Sequence, residues 1–196
     1  YMWAGIGDTY AKYYEATISS RGEQLEHFTS LGVALSLMCR NPLLEYGPKA
    51  YEDHKKKLST YDVEQVVLAI VVTTGIASIF LTKDFTPDYN SGLAHAIFYA
   101  LTSYPVIEKH HLHGEVVGFG VLLALLVDGE ETEFEKVYEL NKKIHLPVSL
   151  EEIEITEEQW EESMNRIPEM SDVAHYPYKV TKEMLSEAMR KLKERV

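Results

Sequence analysis

Between Tyr89 and Gly120 the chain reads YNSGLAHAIFYALTSYPVIEKHHLHGEVVGFG, two apolar stretches parted by Pro105. Proline cannot continue a helical hydrogen-bond ladder and disfavours helix in the residue before it, so one helix is expected from about Ser91 to Ser103 and another beyond the connection VIEKHHLHGE. His95 falls in the first turns of the former, and His113 stands at the mouth of the latter, just before Gly114-Glu115. Two imidazoles in apolar surroundings need partners. A divalent metal would satisfy both, and such a site usually includes a carboxylate as well.

The remaining segments also read as helices. Asp8, after Gly5 and Gly7 and before Thr9, sits where a loop would hand over to a helix running to about Ser20, and taken alone it reads as a helix cap. Leu25, Phe28, Leu31, Leu35 and Met38 recur at steps of three and four, which predicts a helix with one buried face before Asn41-Pro42. Leu43 to Leu58 reads as a short helix, a turn at Gly47-Pro48 and a second helix with His54 on its solvated face. Thr60 or Ser59, with Asp62 and Glu64, caps an apolar segment whose core, Val66 to Leu81, is short for a bilayer crossing and is expected as a buried helix. Lys83 to Asn90 reads as a loop. The segment after Glu115 is expected to run as a helix to about Val127, with Gly118 and Gly120 thinning one face for close packing. An amphipathic helix should follow to Ile144 and break at Pro147, helix-start signals fall at Ser149 and Thr156, and Met184, Leu185, Ala188, Met189 and Leu192 stripe a final basic helix. No convincing strand, repeat or glycine-rich phosphate loop is present, so the expected fold is all-α, a single multi-helix domain over residues 1–196.

Charge and cysteine usage remove several function classes. The formal net charge is −12, which argues against nucleic acid, since phosphate binding needs a clustered basic surface. Fifteen of the acids fall between Asp128 and Asp172 against four bases, so the excess is expected on one solvated face. Cys39 is the only cysteine, which excludes an intrachain disulfide and a cysteine-based zinc site, and a buried role is expected for it. A reducing, cytoplasmic location with no membrane partner is expected. The opening YMWAGIGDTYAKYYE has neither an initiator Met nor a signal peptide, as a piece of a longer chain would read.

Taken together, GIGDTYAKYYE, GLAHAIFYALT and HLHGEVVGFGVL resemble, in order and with similar spacing, the C-terminal half of the iron-type (group III) alcohol dehydrogenase superfamily, in particular its glycerol dehydrogenase-like and hydroxycarboxylate dehydrogenase-like branch. The resemblance implies the helical C-terminal domain of a dehydroquinate synthase-like fold, with a metal site between helices. It implies that Asp8, His95 and His113 bind one catalytic divalent metal, zinc first and iron second. It also implies NAD or NADP as cofactor, bound mainly by an N-terminal nucleotide-binding domain outside this chain, and homo-oligomeric assembly. Two imidazoles and one carboxylate leave coordination positions open, where the hydroxyl of an alcohol, polyol or hydroxy acid would lose its proton more easily before giving hydride to the nicotinamide. Alone, this chain is not expected to turn over substrate.

One departure from the glycerol dehydrogenase pattern touches the pocket. That pattern usually reads A-H-A-I-H-N-G, whereas Phe98 and Tyr99 stand here in place of the His-Asn pair. A less polar pocket is expected, and the wording is closer to relatives acting on 2-oxo or 2-hydroxy acids. Lys109, His110 and His111 are the cationic side chains near these motifs, the two histidines more readily read as solvated loop residues. Two other classes compete with the enzyme reading: a non-catalytic helical metal-binding module, and a structural domain in which the site is vestigial.

Overall fold

The helix His113–Asp128 (α8) is buried along almost its whole length, from Val116 through Leu126, and the other helices pack around it. A helix apolar on all faces has no solvated side to present, so it becomes the centre of a bundle. The computed structural model describes residues 1–82 and 89–195, and every regular element among the described residues is helical. The helices Met2–Ser19 (α1), Leu93–Leu101 (α6), Glu131–Ile144 (α9) and Lys182–Lys193 (α11) lie against α8. The helices His27–Ser36 (α2), Asn41–Lys55 (α3), Tyr61–Leu68 (α4) and Thr74–Leu81 (α5) form an outer layer on the α1 side. The short helices Pro105–His110 (α7) and Glu157–Ser163 (α10) complete the set.

Glycines decide how closely α1 and α8 approach. A Cβ on Gly114 would lie 1.9 Å from the Ala4 carbonyl oxygen, and one on Gly7 would lie 2.1 Å from the Gly114 carbonyl oxygen. The two backbones are therefore in direct contact at this crossing. Four residues further on, a Cβ on Gly118 would meet the Tyr10 hydroxyl at 2.7 Å, while Gly120 turns to α6 and faces the Ala94 carbonyl oxygen at 2.7 Å. Gly118 and Gly120 do thin α8, but on two faces rather than the one expected, Gly118 toward α1 and Gly120 toward α6, and Gly7 and Gly114 add to the first. Behind the crossing, the buried Tyr10 hydroxyl donates to Asn141 Oδ1 at 2.8 Å, tying α1 to α9.

Several sequence expectations hold. Thr60 and Thr156 cap α4 and α10 through their side chains, and α11 buries Leu185, Ala188, Met189 and Leu192 of the expected stripe, with Met184 half-buried. Cys39 is buried, and that burial pushes its thiol pKa up.

Others are corrected. Asp8 is not a cap: α1 begins at Met2 and Asp8 lies in its second turn, because Gly5 and Gly7 serve helix packing rather than a loop. Gly47-Pro48 does not split α3, which runs through Pro48, with Gly47 placed against Leu140 of α9. The connection before His113 contains α7, and Ser149 opens only the single 3-10 turn Glu151–Ile153. In α2 and its 3-10 extension Leu37–Cys39, Gly32, Ser36 and Cys39 face inward while Phe28 and Met38 are exposed, the reverse of the expected face. Of the loop expected over Lys83–Asn90, residues 83–88 lie outside the described residues.

The apolar segment expected as a buried helix is also different. α4 and α5 are joined through a π turn, Ala69–Thr73, into one helical run from Tyr61 to Leu81. Val66, Ala69, Ala77 and Leu81 are buried, but Val71 is 67% and Ile79 73% exposed. The run is long and apolar enough to cross a membrane by length and composition, and most of its apolar window is unburied. Its outer side has no covering element among the described residues, and a Cβ on Gly75 would meet nothing.

Candidate metal centre

Three helices converge where α1 crosses the start of α8. Asp8 comes from α1, His95 from the first turn of α6, and His113 is the first residue of α8. His113 Nε2 lies 3.2 Å from Asp8 Oδ1 and His95 Nε2 lies 3.5 Å from the same oxygen. One donor atom from each of the three falls within 4.8 Å of the others. Ligand atoms held about 2.0–2.1 Å from a common centre stand roughly 3.3 Å apart along tetrahedral edges, so this spacing fits a shared divalent metal.

The local sequence explains how each side chain reaches this point. Glu115 accepts from the Leu112 backbone N–H at 2.6 Å, fixing the first turn of α8, and from the Trp3 indole at 2.9 Å, fixing that turn to the start of α1. Gly114 removes the side chain that would hold the helices apart. The H-G-E run thus combines a donor, a close approach and a cap. On α6, the Leu93 N–H donates to the Tyr176 hydroxyl at 3.2 Å and the His95 N–H to Glu15 Oε1 at 2.9 Å, so the helix start is capped from outside itself. Lys12 adds a further tie, donating to the Asn90 carbonyl at 2.5 Å and to Asn90 Oδ1 at 2.6 Å.

The three groups differ in exposure. The His95 side chain is 9% exposed, whereas Asp8 and His113 are 38% and 42% exposed, so the centre opens on one side only. Burial alone would disfavour a charged His95, yet the Glu15 charge and the Asp8 contact outweigh it and raise its pKa to about 9. Burial likewise pulls the Asp8 carboxyl upward, and its contacts with His113 and His95 more than reverse this, holding it well below the usual carboxylate range. One carboxylate and two imidazoles brought this close form a candidate cation site.

Phe98 and Tyr99 both reach the centre. The Phe98 ring meets His113 edge-to-face with centroids 4.4 Å apart, and the Tyr99 ring, half-exposed, lies 6.2 Å from His95. His110 and His111 do not join the triad: their Nδ1 and Nε2 lie 2.9 and 3.4 Å from Glu154 Oε1. Sequence reasoning missed Glu15, whose side chain is 1% exposed and lies 2.6 Å from His95 Nδ1. Its signal was the spacing of Asp8 and Glu15, seven apart and so on one face of α1.

A helical domain with an open two-histidine, one-aspartate centre is the class that this fold and geometry define. No family model matches the chain. It is 33% identical over 156 residues to hydroxycarboxylate dehydrogenase A of Escherichia coli (strain K12), covering 79% of this chain and 42% of that protein. It is 33% identical over 164 residues to a glycerol dehydrogenase of Pseudomonas putida, covering 79% and 41%. The fold matches the crystal structure of a probable glycerol dehydrogenase from Sinorhizobium meliloti 1021, with a TM-score of 0.80, 22% identity, and coverage of 100% of this chain and 55% of that one. A glycerol dehydrogenase from Schizosaccharomyces pombe matches with a TM-score of 0.81 at 22% identity, covering 99% and 50%. The chain spans about two-fifths of the length of the curated relatives it matches. In sequence the chain is thus similar to glycerol and hydroxycarboxylate dehydrogenases, and it shares the helical fold of part of the solved glycerol dehydrogenases.

Proposed function

We propose that residues 1–196 are the single helical, metal-binding domain of an NAD(P)-dependent alcohol dehydrogenase, completed by a nucleotide-binding domain N-terminal to it. The observation that carries this reading is the convergence of Asp8, His95 and His113 within 4.8 Å on a centre open to one side. A divalent cation there, zinc before iron given the two imidazoles, would supply Lewis acidity to the oxygen of a substrate hydroxyl or carbonyl. Asp8, His95 and His113 hold it, and their unequal burial leaves the approach on the Asp8–His113 side. Phe98 and Tyr99 form an apolar wall beside that approach, which orients the substrate carbon and keeps water from it. Homo-oligomeric assembly and a cytoplasmic location, with Cys39 as a free thiol, belong to the same reading.

The substrate is an alcohol or polyol, and a 2-hydroxy acid is the second reading, which rests on one observation. The residue packed edge-on against His113 is Phe98, which offers a polyol no hydrogen bond. The experiment is a panel of polyols, diols and 2-hydroxy acids on the full-length parent, with metal analysis and His113→Ala beside it. The expected result is about one bound metal per chain and loss of both metal and turnover in the variant. Full activity in His113→Ala would refute the site.

A further inference from the structure

Glu15 touches His95 twice. Its Oε1 accepts from the His95 backbone N–H at 2.9 Å, and its Oε2 lies 2.6 Å from Nδ1 of the same residue's ring. One carboxylate thus grips both the main chain and the side chain of a single histidine. The carboxylate is itself fully buried, comes from α1 two turns after Asp8, and spans eighty positions of sequence to do this.

The geometry points to Glu15 as a positioning residue for the metal centre: it accepts a hydrogen bond at Nδ1 of His95 and so turns Nε2 toward Asp8 and the cation site. This rests on the metal reading of the same triad. Three observations support it. With Glu15 Oε2 2.6 Å from Nδ1, that nitrogen is engaged as the donor to the carboxylate, so when a cation occupies the centre Nε2 is the nitrogen left to ligate it. Nε2 is the atom that lies 3.5 Å from Asp8 Oδ1, on the side where the three groups converge. The backbone contact then fixes the carboxylate itself, because the His95 N–H holds its other oxygen, and the ring cannot swing without losing its Nδ1 partner. Gly92, the residue before α6, makes this possible: a Cβ there would lie 3.1 Å from Glu15 Cβ and Cγ. It has no side chain to cap the helix, and Glu15 fills that place. A carboxylate behind a ligating imidazole raises its basicity, and losing such a partner typically weakens metal affinity about 10- to 100-fold.

The test uses the full-length parent protein and zinc as the probe. Zinc affinity is measured by chelator competition for wild type, Glu15→Gln and Glu133→Gln, the last removing a carboxylate remote from the centre. The expected result is about a 10- to 100-fold loss in Glu15→Gln alone, with an altered visible spectrum when cobalt replaces zinc. Equal zinc affinity in wild type and Glu15→Gln would overturn the role of Glu15 while leaving the triad standing. A wild type that takes up no zinc would overturn both. A reading independent of any variant comes from nitrogen-15 histidine spectra of the zinc-loaded wild type. Protonated Nδ1 and zinc-shifted Nε2 at His95 support the assignment, and zinc on Nδ1 refutes it.

Discussion

Gly114→Ala should take both stability and metal affinity from the domain. The added Cβ would lie 1.9 Å from the Ala4 carbonyl oxygen, 2.7 Å from its carbon and 3.2 Å from Asp8 Cβ. The first contact is roughly 1.5 Å short of ordinary van der Waals separation, and its partner is backbone, so no rotamer change can relieve it. α1 and α8 must part, at a cost toward the upper end of the roughly 1–3 kcal/mol typical of overpacking. The same parting separates Asp8 on one helix from His113 on the other. Ligand distances in a metal site are tolerant to only about 0.2 Å, so a displacement of roughly 1 Å at this crossing should cripple the centre. Urea denaturation and zinc competition read the two effects, with Gly75→Ala as control. That glycine is helical with open space beyond it, and alanine there should be neutral or slightly stabilising. Wild-type stability and zinc affinity in Gly114→Ala would show that α1 and α8 do not meet backbone to backbone.

Two further perturbations probe the frame around the centre. Glu133 accepts from Tyr14 at 2.8 Å, Lys136 at 2.7 Å and Arg40 Nε at 2.8 Å, and although its partial burial acts the other way, these partners lower its pKa from 4.5 to about 2. A depressed carboxylate stabilises fully above its unfolded pKa, so its contribution, about 3 kcal/mol before solvent screening of this partly exposed group and nearer ~2 after it, should be lost as pH falls from 4.5 through about 2. Wild type and Glu133→Gln should therefore differ in denaturation midpoint at pH 6 and converge by about pH 2, and a gap that stays constant with pH would contradict this. Tyr10→Phe leaves buried Asn141 Oδ1 without its donor and should cost about 1–3 kcal/mol in chemical denaturation, with zinc affinity nearly unchanged because Tyr10 touches no ligand. A neutral effect on stability would mean that Asn141 finds another donor.

Helix ends marked by capping chemistry were legible from sequence. Thr60, Pro105 and Thr156 act through local backbone rules, and each stands where expected. Gly5, Gly7 and Pro48 misled because the same residue types that break helices also permit close packing, and only the tertiary partners, the Gly114 oxygen for Gly7, distinguish the two uses. The outward sides of α2 and of the Tyr61–Leu81 run were misread for a related reason: apolar periodicity says which residues share a face, not what covers it. Asp8, His95 and His113 were picked out by their motifs, and the structure brings them together, but Glu15 looked like one more acid on a charged helix. Its spacing from Asp8 puts both on one face of α1, but the hydrogen bond across eighty positions that gives it a role is set by the tertiary packing of α6.

The α1–α8 crossing also imposes an order in time. Trp3 meets Glu115 and Tyr10 meets Gly118 across more than a hundred residues, so the pair forms only after a long loop has closed. A nascent chain that has emerged through α6 holds Asp8, Glu15 and His95 but neither His113 nor the glycines that let α8 seat. Zinc capture would then be a late event, following the closure of α8 on α1 rather than seeding it, and a ribosome-bound fragment ending before residue 113 should carry no tight site.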